Sequence, residues 1–327
     1  MRIVTLGEAM IRLSPPDHMR IEQTSIFEVQ VGGAELNVAA GVVRMGYEAE
    51  WISALPQTPL GRLVHNAVRG MGVGTRFLVW KPEGRVGLYF IEHGASPRPS
   101  RVVYDRAGSC ASMLGPADVD WAKAFAGAAL FHTSGITPAL SDSAAQAVEA
   151  ALRAARAAGL RVTYDLNYRG SLWPPEKARR VQEPFMQYVD VLITSEACAE
   201  VVFGVREATP AATARRLADR YGFEVVAVTL RETPSILRNR VSAMAFAGGQ
   251  IIQDDWYEVE IVDRVGAGDA FTAGFICGYL EEDLERAVRW GNAMCALKHT
   301  MVGDMCWAER EEVEQLLAGG SRFTITR

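Results

Sequence analysis

The sequence predicts a three-layer α/β fold, a mostly parallel sheet between helices with a small β-sheet lid attached, and three observations carry that prediction. Short apolar runs at 2–6, 49–55, 129–133, 161–166, 189–193 and 225–230 alternate with longer amphipathic stretches at 35–45, 61–71, 141–158 and 211–221, the order that βαβ units produce. Gly46, Gly72, Gly159 and Gly222 stand just past those stretches, where a residue free to take positive φ lets the chain leave a helix and return to the sheet. Between residues 75 and 104 the rhythm changes to short strands separated by Pro/Gly turns, the signature of an antiparallel sheet.

Along the chain, residues 2–6 form the first core strand, entered directly from Met1, and 49–55 form the second. The spacing of Gly70, Gly72 and Gly74 reads as a helix end and turn, not as a cofactor loop. Strands at 76–81, 86–92 and 100–104, with turns at 82–84 and 94–99, join strands at 10–14 and 27–31 in a lid of about five strands. The chain therefore reads as one domain over 1–327, with lid strands inserted at about 10–31 and 75–107 and no internal repeat.

Of the 327 residues, 49% are hydrophobic and 22% charged, enough apolar matter for a sizeable core. A net charge of -5 supplies no basic field for nucleic acid or an anionic membrane, so small-molecule chemistry is the expectation. The five cysteines, Cys110, Cys198, Cys277, Cys295 and Cys306, are scattered and form no C-x-x-C pair, which fits free thiols in a reducing compartment. No basic-then-apolar leader opens the chain and no apolar run reaches the length of a membrane span, so a cytoplasmic protein is expected.

The chemistry concentrates in Asp263-Arg264-Val265-Gly266-Ala267-Gly268-Asp269, followed by an apolar helical pattern through Leu280. Two glycines let the backbone turn sharply before a helix starts, so unpaired N–H groups and the positive end of the helix dipole face one small volume. Gly266, Ala267 and Gly268 thus make an anion hole for a transferring phosphoryl group. Asp269, at its mouth, is placed to take the proton of an attacking hydroxyl. The chain has no G-x-x-x-x-G-K-[ST] and no third glycine to complete G-x-G-x-x-G, which disfavours a Walker-type nucleotidase or a dinucleotide enzyme. Early in the chain, Val31-Gly32-Gly33-Ala34-Glu35-Leu36-Asn37 lets a polyol approach the backbone while Asn37 offers a donor and an acceptor.

The late Gly-x-Gly-Asp motif and the early Gly-Gly-x-x-x-Asn motif together resemble the ribokinase-like PfkB carbohydrate kinases, over essentially the whole chain. Gly87-Leu88-Tyr89-Phe90, Tyr104-Asp105-Arg106, Ser134-Gly135-Ile136-Thr137-Pro138, Asp165-Leu166-Asn167-Tyr168-Arg169 and Gly303-Asp304 are similar to 2-keto-3-deoxygluconate kinases within that family. The resemblance implies a ribokinase-like sandwich, ATP with Mg²⁺ as the phosphoryl donor, and phosphorylation of the primary hydroxyl of a sugar acid. It implies a sugar-acid pocket lined by Gly33, Asn37, Tyr89, Tyr104, Arg106, Ile136, Arg169 and Asp304. A nucleotide border of Asn167, Ser195, Thr229, Arg231, Gly266, Gly268 and Asn292 is implied with it, as is a homo-oligomer, a dimer sealed by lid strands.

An acidic open-chain sugar needs a cation for its carboxylate, and Arg106 and Arg169 are the candidates. A kinase for ribose, fructose or a nucleoside is the first alternative, and a non-catalytic sugar-acid sensor the second. Two departures from the family pattern bear on the nucleotide end. Ser195-Glu196-Ala197-Cys198 puts Cys198 where many members carry an acid linked to Mg²⁺, leaving Glu196 or Glu200 to compensate. In place of a Gly-rich turn after Thr229 the chain has Arg231, Arg238 and Arg240, cations suited to phosphates. His132 and His299, Trp173 and Trp256, and the Asp254-Asp255 pair read as packing or turn residues.

Overall fold

The structure is a computed structural model that describes residues 1–319. In chain order its first elements are β1 (Arg2–Leu6), β2 (Met10–Ser14), β3 (Glu28–Gly32), α1 (Ala34–Arg44), β4 (Glu48–Ile52), β5 (Ala54–Pro56), α2 (Pro59–Gly70), β6 (Val79–Lys81), β7 (Gly87–Glu92) and β8 (Arg101–Asp105). Next come α3 (Trp121–Phe125), β9 (Leu130–Ser134), α4 (Asp142–Ala157), β10 (Arg161–Asp165), α5 (Pro175–Gln182), β11 (Val191–Thr194), α6 (Glu196–Phe203) and α7 (Pro210–Tyr221). The last are β12 (Val225–Ser235), β13 (Arg238–Ala247), β14 (Gln250–Gln253), β15 (Tyr257–Glu260), α8 (Ala267–Leu280), α9 (Leu284–His299) and α10 (Arg310–Leu317).

The main sheet runs β14-β13-β12-β11-β10-β9-β1-β4, with β15 also on β13. From β4 to β12 all neighbours are parallel, and β13 turns antiparallel. Its central strands are buried nearly throughout because both faces are covered. Val191, Ile193, Val225 and Ala227 enter the core shared with Phe271, Phe275 and Trp290. Leu192, Val226 and Val228, one residue out of phase, enter the opposite core with Phe125, Phe131 and Phe203. That alternation makes the layers: α1, α8 and α9 lie on one face, and α4, α6 and α7 on the other. Helix α8 is buried on nearly every side, which explains why its sequence is apolar without a polar stripe.

The lid is a separate sheet in the order β3-β2-β7-β8. It holds one strand fewer than the sequence suggests, because the run expected at 76–81 shortens to β6 and pairs in parallel with β5. The reason is packing: Leu78 and Trp80 lie against the α1/α8 core, and Trp80 meets His65 edge-on at 5.4 Å. The long β12–β13 hairpin also exceeds the expected strand at 225–230, since residues from Arg231 to Ser235 are exposed and polar and lack the apolar signal of the core strands. Among the described residues no helix is long and apolar enough to cross a membrane.

Candidate active site

A cleft of about 800 Å³ opens at the carboxyl ends of β10, β11 and β12, roofed by the lid, where open α/β sheets place their ligands. All of the site residues drawn from the sequence line this one cleft: Gly33, Asn37, Tyr89, Tyr104, Arg106, Ile136, Arg169 and Asp304, expected at the sugar, and Asn167, Ser195, Thr229, Arg231, Gly266, Ala267, Gly268, Asp269 and Asn292.

Helix α8 begins at Ala267 behind Gly266, which takes φ 82° and has no capping side chain. A Cβ on Gly266 would stand 1.7 Å from the Asp304 carbonyl oxygen, so both its dihedral and its neighbour require glycine. No backbone carbonyl engages the N–H of Gly268 or Asp269 among the described residues, and those donors face the cleft. Asp269 stands in the first turn, where its Oδ2 accepts a 2.7 Å bond from Asn37 Nδ2. Asn37 is itself fixed by the Gly33 N–H, which donates to its Oδ1 at 3.2 Å. Burial lifts the Asp269 carboxyl to about 7; the Asn37 bond opposes the rise, Asp165 adds to it and Arg169 opposes it. A carboxylate poised near neutrality suits a proton acceptor for an alcohol.

Asp165, at the end of β10, is a member of this cluster that sequence reasoning did not assign. Its carboxyl is also lifted to about 7, chiefly by burial, with Arg169 opposing. Asn167, at φ 33°, turns its N–H to Asp165 Oδ1 at 3.1 Å. Arg169 is exposed to the cleft and has no ion-pair partner among the described residues.

On the lid side, Tyr89 and Tyr104 stack with ring centroids 5.9 Å apart. Arg106 lies 5.6 Å from the Tyr104 ring and forms an ion pair with buried Glu8. Asp304 is engaged by the protein itself, accepting from Arg12 at 2.8 Å and from the Tyr89 hydroxyl. Arg12 also reaches Asp263 at 2.5 Å, so a lid strand is tied both to the loop that enters α8 and to the segment that follows α9.

At the far end, Ser195 caps α6 by accepting from the Cys198 N–H at 3.3 Å, and Asn292 donates to Asp254 Oδ2 at 2.8 Å. Cys198 and Glu196 line the cleft, whereas Glu200 is turned away into an ion pair with Arg206. Arg264 and Trp256 also line it, and neither was assigned there from sequence. The Arg264 signal was its place inside the anion-hole motif; a lone tryptophan in a polar stretch offers none. Arg240 is neutralised by Glu232 and stacks at 5.3 Å on Trp256, and Arg238 does not reach the cleft. His132 and His299 are buried and hydrogen-bonded internally, and burial pulls His132 down to about 3.

An anion hole with a carboxylate at its mouth, between a sugar-sized pocket and a cationic far end, defines a phosphotransferase acting on a polyol. A family model described as pfkB family carbohydrate kinase matches residues 1–307, and the chain belongs to that family of kinases. It is 40% identical over 97% of both chains to a 2-dehydro-3-deoxygalactonokinase of Haloferax volcanii. Over 96% of this chain and 94% of the relative, it is 32% identical to a 2-dehydro-3-deoxygluconokinase of Thermoproteus tenax. The crystal structure of 2-dehydro-3-deoxygluconokinase from Thermotoga maritima superposes with a TM-score of 0.95 at 45% identity, covering 98% of each chain.

Proposed function

We propose that the enzyme transfers the γ-phosphoryl group of ATP to the primary hydroxyl of a 2-keto-3-deoxy sugar acid, with 2-keto-3-deoxygluconate or its galacto epimer as substrate. The observation that carries this reading is the presence, in one cleft, of Asp269 at the α8 anion hole and an exposed Arg169 guanidinium that forms no ion pair among the described residues. A substrate carboxylate gives that cation a bidentate partner, which a neutral sugar does not. The relatives named for 2-dehydro-3-deoxy sugar acids support the same substrate class.

In this reading Asp269 accepts the hydroxyl proton, Asn37 holds its carboxylate in line, and the Gly268 and Asp269 N–H groups receive the charge of the transferred group. Arg264 and Arg231 stand at the nucleotide end to meet its phosphates. No group of three or more His, Cys, Asp or Glu side chains is gathered to hold a metal among the described residues. That donor set fits a Mg²⁺ carried by nucleotide phosphates and water with at most one or two carboxylates, Glu196 being nearest in kind; the ion would neutralise the phosphates. The lid edge β8 is exposed along its length, with Val102 and Val103 at 40% and 36% exposure, which supports a dimer joined through the lids.

The deciding experiment is ADP release measured over 2-keto-3-deoxygluconate, its galacto epimer, fructose and ribose. A higher specificity constant for the acids is expected, and its reduction in Arg169→Gln. Preference for a neutral sugar would overturn the substrate assignment, and no sugar-dependent ADP release would overturn the enzymatic one.

A further inference from the structure

Glu8 follows β1 and faces the cleft beneath the lid, 2% exposed. Its Oε2 accepts from Arg106 Nη2, while its Oε1 has no hydrogen-bond partner. Arg106 Nε is likewise buried and unpartnered. A buried carboxylate oxygen without a donor is costly, because nothing replaces the water it gave up. Two such atoms, an acceptor and a donor on one ion pair at the wall of a ligand cleft, are complementary to a group that both donates and accepts. A sugar hydroxyl, or two neighbouring hydroxyls, is that group.

Charge points the same way. Arg106 is already neutralised by Glu8, so the pair presents no net positive charge to a substrate carboxylate. Arg169 carries no such partner among the described residues. The backbone fixes the position of Glu8 as well. A Cβ on Gly33 would lie 2.0 Å from the Glu8 carbonyl oxygen, and one on Gly87 would lie 3.2 Å from Glu8 Oε1. The Glu8 backbone is therefore packed against Gly33, and its side chain lies against Gly87 of lid strand β7.

We infer that Glu8 is a specificity-determining residue of the sugar site: its free Oε1 accepts a secondary hydroxyl of the substrate while Arg106 donates to the same or the adjacent oxygen. The substrate carboxylate falls to Arg169. This rests on the proposed sugar-acid reading for the carboxylate alone; the hydroxyl assignment applies to whichever sugar is phosphorylated. In a 2-keto-3-deoxy hexonic acid the secondary hydroxyls are at C4 and C5, and the gluco and galacto forms differ in configuration at C4 alone.

Glu8→Gln keeps the shape and inverts the chemistry, because Arg106 holds the amide oxygen and turns the NH₂ toward the substrate. The specificity constants of wild type, Glu8→Gln, Arg106→Gln and Arg169→Gln are compared for the acid, for analogues lacking the C4 or the C5 hydroxyl, and for the corresponding sugar lacking the carboxylate. Glu8→Gln is expected to lose roughly 10- to 150-fold on the full substrate, to lose little on one of the deoxy analogues, and to keep the ratio of acid to neutral sugar. Arg169→Gln is expected to lower that ratio.

Equal losses of Glu8→Gln on every analogue, or a fall in the acid-to-neutral ratio as large in Arg106→Gln as in Arg169→Gln, would overturn the inference. If Glu8→Gln does not fold, the Glu8→Gln/Arg106→Gln double variant removes the buried ion pair as a unit and gives the same deoxy readout. A wild-type enzyme that takes only neutral sugars defeats the sugar-acid reading, and deoxy forms of that neutral sugar then test Glu8.

Discussion

At Asp269, burial and the neighbouring Asp165 place the carboxyl near 7 in the free enzyme, so with Asp269 as the proposed base its protonation is expected to control activity in the physiological range. Only the ionised form accepts a proton, hence kcat/KM should fall about tenfold per pH unit below about 7 and flatten above it. Asp269→Asn should lose roughly 10²–10⁴-fold in turnover and abolish that limb of the profile; near-normal turnover would remove Asp269 as the base. The same shift has a stability consequence of opposite sign. The folded-state value lies above the ordinary 3.8, so the stabilising proton is bound below the unfolded value and lost as pH rises through about 7. Asp269→Asn should therefore raise the melting temperature more at pH 8 than at pH 5, as scanning calorimetry can check. The neighbouring glycines separate by cause. Gly266 is required by its own backbone and by Asp304, whereas a Cβ on Gly268 meets nothing within 4 Å and faces the cleft. Gly266→Ala should lower the melting temperature. Gly268→Ala should leave the melting temperature in place and act on turnover through the phosphoryl group it would crowd.

Between elements, the Arg12 guanidinium joins lid strand β2 to Asp263 and Asp304, which bracket α8 and α9 in the sequence. Lys298 near the end of α9 adds a second buried cation, donating to the carbonyl oxygens of Asp263 and Met301 at 3.1 and 3.0 Å. With two cations facing two carboxylates the cluster is charge-balanced, and that balance allows it to be dry. Removing one member leaves a buried charge without a partner. Arg12→Met should destabilise the fold by about 3–5 kcal/mol, the cost typical of a broken buried ion pair, measured by denaturant unfolding. A loss within the range of an exposed pair would show that the cluster is hydrated and does not tie lid to loop.

For the molecule as a whole, the proposed sugar site is divided between two sheets: Tyr89 and Tyr104 come from the lid, and Asp165, Asn167 and Arg169 from the end of a main-sheet strand and the loop after it. A ligand touching both binds the folded arrangement alone, so it stabilises by mass action. At 100-fold excess over Kd the gain is about 2.7 kcal/mol, on the order of 4 °C for a chain of this size. Thermal shifts with the sugar acid should reach that scale in wild type and shrink in Arg169→Gln, while ADP alone should shift both proteins alike. An acid-induced shift unchanged by Arg169→Gln would place the carboxylate elsewhere.

The sequence by itself determined the parallel sheet and the anion hole, because both are local: strand runs buried on two faces must be apolar, and a glycine turn before a helix exposes its N–H groups whatever surrounds it. Several residues that line the cleft were legible for the same reason, lying in short motifs such as Gly33 to Asn37 or Gly266 to Asp269. Tertiary structure decided what no local window contains. It assigned strand Val79–Lys81 to Ala54–Pro56, where Trp80 finds the core, and so took it from the lid. It brought Trp256 to the cleft wall and engaged the Asp304 carboxylate with Arg12, 292 positions away. It also set Glu8 against Arg106 across 98 residues, converting one of two apparent carboxylate-binding cations into half of a neutral pair. Charge balance inside a protein is a property of neighbours in space, and sequence spacing does not carry it.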